Sequence, residues 1–371
     1  MQPSIAVAGG WGYIGQKFIQ AACRLGWRVY VYDPSPIPAP MKSLPIEVFD
    51  DESRFYELPA TLYHLALHPH HRRAALERLF ARADAGQKPI VLCEKPMADP
   101  GNPEEGRWLL QTCRASDTIV LFDFIELFDD ITLRVHQFLS QFRHVSLQRI
   151  HMWRSKDRED PSIPRNYKIM VPIQYQETVH CIAYVLSLFA QSPPGLEGAF
   201  AHGVRITGKS ERYAPPNPED YSVPVDGKVE GTIQLGETSV HLHTDFKSGA
   251  LFTKRRTIEG IGDGVPFHIE AEHLEGRKYL IINGTRTEIP PDAEAYHQVI
   301  QRSVQWVTEH GGDVNANLRF PNTTFAWYTY QLSAMLWDSC NEGALKSAKS
   351  AREILNYEPG YPHHLREGMG E

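Results

Sequence analysis

The stretch that decides the fold lies near the amino terminus and reads Val7-Ala8-Gly9-Gly10-Trp11-Gly12-Tyr13-Ile14-Gly15. It carries the spacing G-x-G-x-x-G, between an apolar run that predicts a buried strand and an amphipathic pattern that predicts a helix. At this spacing the first glycine, Gly10, permits a tight turn, the second admits a pyrophosphate, and the third lets helix and strand pack closely. The helix start offers the phosphates free N–H groups and a positive dipole. We therefore predict a dinucleotide-binding βαβ unit whose loop binds the cofactor through Gly10, Trp11, Gly12, Tyr13, Ile14 and Gly15.

The acid that follows the second predicted strand indicates which dinucleotide binds. Asp33 comes directly after the strand Val29–Tyr32, where a carboxylate accepts hydrogen bonds from the hydroxyls of the adenosine ribose. The same charge repels a 2′-phosphate, and Pro34-Ser35-Pro36 offers no Arg or Lys to hold one. The sequence thus favours NAD over NADP as the cofactor. For Trp11 two alternatives stay open: its indole covers the cofactor, or it packs on the next loop.

Strand and helix patterns alternate through the first third of the chain. Near-continuous apolar strands separated by helices indicate a parallel sheet that is covered on both faces. The predicted strands are Ser4–Ala8, Val29–Tyr32, Leu62–Leu67, Ile90–Cys93 and Thr118–Phe122, and the predicted helices are Gln16–Leu25, Arg72–Arg82 and Gly106–Ser116. The prolines of Pro34–Pro45 predict a loop. We therefore predict an α/β fold whose first domain, residues 1–123, is a Rossmann doubly wound parallel sheet.

The pattern changes after residue 123, where strands separated by turns predominate. The predicted strands are Val145–Met152, Val204–Thr207, Lys228–Leu235, Thr238–Asp245, Thr253–Glu259, Phe267–Glu272 and Arg277–Asn283, and the predicted helices are Ile131–Gln141, Gln176–Phe189, Ala293–His310 and Phe320–Cys340. Gly236-Glu237 and Asn283-Gly284 are typical of hairpin turns. We predict an α+β substrate and oligomerisation domain over residues 124–358, with an open, mostly antiparallel sheet, and a polar tail over residues 359–371.

Composition excludes several functional classes. The chain has 371 residues and a net charge of −7, which argues against a nucleic-acid partner. No apolar run approaches the roughly 20 residues that a membrane span needs, and the amino terminus shows no signal-peptide core. Five scattered cysteines without a C-x-x-C spacing are typical of reduced thiols, so we expect a cytoplasmic protein.

A second motif lies where the strand Ile90–Cys93 continues into Glu94-Lys95-Pro96. A lysine at the carboxyl end of a strand, in the half that binds a dinucleotide, lies at the ligand crevice. The segment from Gly86 to Ala98 resembles the G-K-x-V-x-x-E-K-P-x-A signature of the Gfo/Idh/MocA family of oxidoreductases. Together with the glycine loop, the resemblance covers residues 4–123 closely and the remainder only in architecture.

The resemblance implies a function and a set of site residues. Family members pair a Rossmann domain with an α/β domain whose open sheet often mediates dimers or tetramers, and most oxidise or reduce a sugar, a cyclitol or a related polyhydroxy compound with NAD(P). Lys95 is then expected to contact the reacting hydroxyl, Glu94 to shape the cofactor pocket, and Pro96 to follow a cis peptide bond. An ammonium beside the carbinol oxygen stabilises the negative charge that develops there. The loop expected to line the cofactor contains Leu67, His68, Pro69 and His71.

Relatives that act on polyols often carry Asp-x-x-x-His on the first helix of the second domain, with the histidine as general base. His180 matches that histidine, but Gln176 replaces the Asp, and Ala183 stands where a further Asp is common. Glu177 precedes His180 by three residues, so on a helix it is a neighbour able to orient the imidazole. We therefore expect Lys95 and His180 to assist proton transfer, with Glu177 in support.

The substrate residues are less clearly marked. Many relatives read N-x-R-F-x-P after the fifth strand, whereas this chain has Asp123-Phe124-Ile125-Glu126 and lacks the Arg, so Asp123 and Glu126 are expected to bind hydroxyls or an amine. The other candidate substrate wall is the loop Trp153–Arg158 with Arg165 and Tyr167, and its Arg and Lys residues favour an anion instead. The charge of the ligand therefore stays open, and the remaining substrate candidates are Trp153, Arg165, Tyr167, Gln176 and His180.

We expect hydride transfer between NAD(H) and a sugar, cyclitol or amino-sugar-like substrate. A non-catalytic NAD-sensing regulator and a redox-neutral enzyme with retained NAD are the alternatives. The histidines at positions 64, 68, 70 and 71 match no standard metal spacing and have no nearby cysteine, so no metal is expected. A homodimer or homotetramer formed through the second sheet is expected.

Overall fold

The computed structural model describes residues 2–84, 88–167, 171–193, 195–217, 219, 226–246, 253–274, 277–290 and 295–360. The chain divides into two compact units. The first contains Met1–Asp129 and Ala293–Trp327, and the second contains Asp130–Asp292 and Tyr328–Glu371. No helix in the described part of the chain has both the length and the apolar character that a membrane span needs.

The elements are numbered in chain order. The strands are β1 (Ser4–Ala8), β2 (Arg28–Tyr32), β3 (Ile46–Phe49), β4 (Leu62–Leu65), β5 (Ile90–Glu94), β6 (Ile119–Asp123), β7 (Val145–Ser155), β8 (Val204–Arg212), β9 (Asp226–Leu235), β10 (Thr238–Asp245), β11 (Thr253–Gly262), β12 (Val265–Leu274), β13 (Arg277–Ile282), β14 (Thr285–Ile289) and β15 (Lys346–Ala348). The helices are α1 (Tyr13–Arg24), α2 (Glu52–Tyr56), α3 (Pro69–Asp84), α4 (Pro103–Ala115), α5 (Asp130–Leu139), α6 (Val179–Gln191), α7 (Leu196–Phe200), α8 (Ala295–His310), α9 (Asp313–Ala316), α10 (Thr323–Glu342) and α11 (Ala351–Leu355).

The first unit is built on a parallel sheet of six strands in the order β3-β2-β1-β4-β5-β6. This is the strand order of the dinucleotide-binding Rossmann fold. All five residues of β1 are buried, as expected for a central strand covered on both faces. The prediction of a doubly wound sheet is confirmed. The edge strand β3 and the short helix α2 were not predicted, and a 3-10 turn at Ala39–Met41 interrupts the proline-rich loop.

Helix α8 belongs to the first unit, although the sequence placed it in the second domain. Its buried face includes Val299 and Ile300, and the ring of its Tyr296 lies 5.2 Å from Phe18 on α1. Trp306 stacks on Phe128 with 4.8 Å between ring centroids. The predicted boundary at residue 123 therefore leaves out a helix that returns to the first unit. An amphipathic pattern shows that a helix needs a partner but does not identify it.

The second unit contains a nine-stranded sheet in the order β14-β13-β12-β11-β7-β10-β9-β8-β15. Every neighbouring pair is antiparallel except β7 and β10, so the prediction of a mostly antiparallel sheet is confirmed. Both predicted hairpin turns are present. Gly236 has φ +57°, and Asn283 and Gly284 have φ +49° and +83°, which suits the tight turns of hairpins.

The two faces of this sheet differ at β7. Ile150, Met152 and Arg154 are buried, whereas Trp153 between them is 49% exposed. The buried face carries α6, because Arg256 on β11 lies 4.0 Å from the ring centroid of Tyr184 on that helix. Successive residues of a strand point to opposite faces. Trp153 and α6 therefore lie on opposite sides of the sheet.

Candidate functional site

The glycine loop between β1 and α1 is held by close contacts of its backbone. Gly9 has φ +72°, and a Cβ there would lie 2.6 Å from the carbonyl oxygen of Ala66. The turn glycine is thus Gly9, and the role predicted for Gly10 is corrected. Gly10 is required for packing instead, since its Cβ would lie 2.3 Å from Cγ1 of Val31.

The other two glycines of the loop have different roles. A Cβ at Gly15 would lie 2.4 Å from the carbonyl oxygen of Gly9, so glycine is needed there for close packing of helix on strand. A Cβ at Gly12 would meet only that same oxygen, at an ordinary 3.4 Å. Packing of the protein itself therefore does not require glycine at position 12. Gly12 and Tyr13 are exposed and Ile14 is half-buried at the open N-terminus of α1, where the first N–H groups have no intrahelical acceptor.

Asp33, directly after β2, holds the glycine loop by a hydrogen bond to its backbone. Its Oδ2 accepts a hydrogen bond from the backbone N–H of Trp11 at 2.9 Å, and its Oδ1 accepts one from Ser35 N–H at 2.9 Å. A carboxylate offers about four acceptor positions, so capacity remains for two ribose hydroxyls. Trp11 is only 8% exposed, which supports packing of its indole within the protein over covering a cofactor.

A pair of carboxyl groups lies at the carboxyl ends of β5 and β6. Glu94 and Asp123 are partners in the strand register and share a side-chain hydrogen bond. Burial raises the pKa of Glu94 to about 7 and the pKa of Asp123 well above its usual value, and the positive charge of Lys95 acts in the opposite direction on both. Two hydrogen-bonded carboxyl groups need one proton between them. The pair beside Lys95 therefore keeps a proton to a higher pH than two separate, exposed carboxyl groups would.

His64 supports this pair from β4. Its Nε2 lies 3.0 Å from Oε1 of Glu94, and its ring stacks on Phe18 with 3.6 Å between centroids. Burial, with the nearby charge of Arg72, lowers the pKa of His64 to about 3. The imidazole is therefore neutral, and its contact with Glu94 is a hydrogen bond rather than an ion pair.

Arg72 is a structural residue of the site that the sequence analysis did not find. Its guanidinium is buried and donates to the carbonyl oxygens of Pro96 at 3.2 Å, Met97 at 3.3 Å and Leu67 at 3.5 Å. It thereby ties the loop after β4 to the segment that carries Lys95. The Lys95–Pro96 peptide bond is cis, as the resemblance implied. In the sequence Arg72 looks like the exposed Arg73 beside it, so nothing marked it as buried.

The loop after β4 contains the remaining predicted cofactor residues. Pro69 is buried and begins α3, Leu67 is half-buried, and His68 and His71 are exposed. Glu126 lies on a 3-10 turn after β6 and is 4% exposed, while Asp123 is equally buried and its Oδ1 makes no hydrogen bond to the described residues. Both acids are therefore interior groups and not surface acids.

In the second unit, Glu177 is the centre of a buried ion cluster. It lies in a π-helical turn, Gln174–Thr178, that leads into α6. Its Oε2 accepts hydrogen bonds from Arg154 at 2.6 and 2.7 Å, and its Oε1 lies 3.4 Å from Arg158 and 3.6 Å from Lys156. These contacts assign Glu177 an anchoring role between β7 and α6. The orientation of His180 by Glu177, expected from helical spacing, stays a prediction.

The predicted substrate residues of the second unit are not all brought together. His180 is 6% exposed on α6, and Gln176 is half-buried in the π-helical turn. Trp153 lies on the opposite face of the sheet, against His243 at 4.2 Å between ring centroids, so it does not share a site with His180. Tyr167 is 48% exposed in a loop. The side chain of Arg165 lies outside the described part of the structure.

Comparisons with known proteins identify the fold. No family model matches the sequence, and a search of curated proteins finds no match. Three solved structures with similar folds are a myo-inositol dehydrogenase from Corynebacterium glutamicum, an oxidoreductase from Agrobacterium radiobacter in complex with NAD+, L-tartaric acid and magnesium, and Gal80p from Saccharomyces cerevisiae.

The similarity extends over nearly the whole length of each chain. The dehydrogenase has 13% identity and a TM-score of 0.67 over 94% of this chain and 99% of its own. The oxidoreductase has 13% identity and a TM-score of 0.69 over 95% and 100%, and Gal80p has 12% and 0.71 over 96% and 100%. The chain therefore has the two-unit fold of the Gfo/Idh/MocA oxidoreductases, as the glycine loop and the Glu-Lys-Pro motif predicted.

Proposed function

We propose that this protein is an NAD-dependent oxidoreductase that transfers hydride between the nicotinamide and a hydroxyl or carbonyl carbon of a polyhydroxy substrate. The observation that carries this proposal is the first unit's glycine loop. Gly12 is a glycine that the fold itself does not need, at an open helix N-terminus, with Asp33 beside it. A dinucleotide with a pyrophosphate and a free ribose accounts for all three features. Similar folds in dehydrogenases support the same conclusion.

NAD is proposed over NADP because of the charge around the ribose position. Asp33 directly follows β2, and its two carboxylate oxygens already accept hydrogen bonds from the N–H groups of Trp11 and Ser35. A 2′-phosphate placed there would meet a fixed carboxylate. Two hydroxyl donors would instead complete its hydrogen bonds.

Lys95 is proposed as the residue that contacts the reacting oxygen. The bound nicotinamide supplies the hydride acceptor or donor, and the ammonium of Lys95 stabilises negative charge on the carbinol oxygen. The Glu94–Asp123 pair lies close enough to that ammonium for their charges to interact, and the hydrogen bond between its carboxyl groups favours retention of a proton. His180 is proposed as the group that takes the hydroxyl proton.

The test is turnover on a panel of cyclitols, sugars and amino sugars with NAD+ and NADH, followed by absorbance of the reduced nicotinamide. Replacing Lys95 by Met should lower kcat by roughly 100-fold or more, because one preorganised electrostatic group is lost. NADH binding by the same variant should stay within about threefold of the wild type. Full turnover by Lys95→Met would remove the proposed role of this lysine.

A non-catalytic, NAD-sensing regulator is a second candidate. The fold similarity to Gal80p, at a TM-score of 0.71, favours it, as does the replacement of the usual Asp of Asp-x-x-x-His by Gln176. Binding of NADH without turnover of any compound in the panel is the result that would support the regulator over the enzyme.

A further inference from the structure

A cluster of metal-ligand side chains contains His68, from the loop expected to line the cofactor, together with His70 and Asp99, which the proposed reaction does not use. His68 and His70 stand at the start of α3, and Asp99 follows β5. One nitrogen from each imidazole and one oxygen of the carboxylate lie within 4.8 Å of one another. We propose that His68, His70 and Asp99 form a binding site for a divalent transition metal ion of the Zn2+ type.

The chemistry of the three side chains suits such an ion. Two imidazoles and one carboxylate are ligands that Zn2+ accepts at about 2.0–2.2 Å, and three protein ligands leave a fourth position for water. The Nδ1 atoms of His68 and His70 are 2.6 Å apart, so they now share one proton in a hydrogen bond. A bound metal ion would replace that proton between the two Nδ1 atoms. In tetrahedral geometry two ligands of one ion lie about 3.3 Å apart, so the rings need only a small separation.

The three side chains are exposed enough to move into tetrahedral geometry. Both histidines are exposed and Asp99 is half-buried, so the imidazoles can rotate and the carboxylate can move inward by about 1.5 Å, which tetrahedral ligand spacing requires.

The surrounding charges are mixed. Arg72 is a cation close enough for its charge to act on His68, but its guanidinium donates to the carbonyl oxygens of Leu67, Pro96 and Met97. Glu105 is an acid in the vicinity of Asp99. It is close enough to Asp99 that the negative charge of Asp99 adds to burial in raising the pKa of Glu105. Two acids therefore offset the cation at this position.

The spacing of the three ligands along the chain does not reveal this site. The histidines alone give His-Pro-His-His, which fits no closed metal site. Asp99 comes from a different loop, after the strand β5 that neighbours β4 in the sheet. The parallel register of these strands places both loops at the same edge, where the carboxylate completes the set.

The site is tested by calorimetric titration of the chelator-treated full chain with ZnCl2 at pH 7.5. We expect one ion per chain with a micromolar dissociation constant, and at least a tenfold weaker constant in each of His68→Gln, His70→Gln and Asp99→Asn. Bound Zn2+ should raise the unfolding temperature of the wild type and not of these variants, because it binds only the folded site. Neither readout requires NAD or turnover.

His71→Gln is the matched control, because His71 lies in the same loop, with its ring centroid 3.9 Å from that of His70, without belonging to the cluster. It should bind Zn2+ within about twofold of the wild type. The proposal is overturned if the wild type binds no stoichiometric Zn2+, if Asp99→Asn binds as tightly as the wild type, or if His71→Gln weakens binding as much as Asp99→Asn. Unchanged unfolding temperatures without metal show that the variants are folded.

Discussion

At the scale of single residues, the unusual feature is the acid that ends β6. The related signature has Asn at this place and Arg two residues later, whereas this chain has Asp123 paired with Glu94. An Asn would hydrogen-bond Glu94 without a second charge. Asp123 does so only by holding a proton, which makes the electrostatics beside Lys95 depend on pH near neutrality.

This pair predicts a particular dependence of stability on pH. Because the pKa of Glu94 in the folded protein is raised to about 7, the folded state binds more protons than the unfolded state between about pH 4.5 and 7. Unfolding free energy should therefore fall as pH rises through that window. In Asp123→Asn this decrease of the unfolding free energy should be smaller. At pH 8 the variant should be more stable than the wild type, by on the order of 1 kcal/mol.

Thermal unfolding at pH 5.5, 7 and 8 measures this difference. Asp117→Asn is the control, because Asp117 is 70% exposed in its pair with Lys88 and should leave the wild-type dependence intact. Parallel curves for the wild type and Asp123→Asn would show that the carboxyl pair does not share a proton in this range.

At the scale of elements, two glycines at the start of α1 have different roles: Gly12 in ligand binding and Gly15 in packing. Ala at position 12 fits the observed φ of −63° and meets only an ordinary contact. Gly12→Ala should therefore leave unfolding free energy within about 0.5 kcal/mol of the wild type and still weaken NADH binding at least tenfold. Gly15→Ala should lose about 2 kcal/mol or more, because its Cβ would clash with the carbonyl of Gly9.

Chemical denaturation and NADH titration of both variants measure the two effects. Equal NADH affinity for Gly12→Ala and the wild type would contradict a close approach of the cofactor to this residue.

Elements with strong local patterns were predictable from the sequence. The buried strands β1, β2 and β5 and the hairpin turns at Gly236 and Asn283 carry their signals within a few residues. The short edge strand β3, with Val48 47% exposed, carries no apolar run to mark it. Helical spacing alone did not predict the π-helical turn before α6 or the ion cluster of Glu177. The partners of Glu177 come from β7 and the loop after it, and Arg154 is more than twenty positions away along the chain.

At the scale of the whole molecule, the open face of the second sheet predicts self-association. This face carries the stacked rings of His151 and His241 and the ring contact of Trp153 with His243, around a depression of about 730 Å³. It also carries the ion pair of Arg255 with Glu270. We expect a sedimentation mass of at least twice the 42.1 kDa of one chain.

Trp153→Glu should convert that species to monomer by burying a charge at the interface. Lys209→Gln is the control, because Lys209 lies on the same face but makes no aromatic contact with the described residues there. This variant should keep the sedimentation mass of the wild type. A wild-type mass of one chain at micromolar concentration would contradict this prediction.

The central claim is that the first unit binds NAD, and a fluorescence titration tests it most directly. Energy transfer from tryptophan to the reduced nicotinamide is followed as NADH or NADPH is added to the purified protein. We predict micromolar binding of NADH and at least tenfold weaker binding of NADPH, because the carboxylate of Asp33 repels a 2′-phosphate. No binding of NADH by the folded protein would contradict the claim.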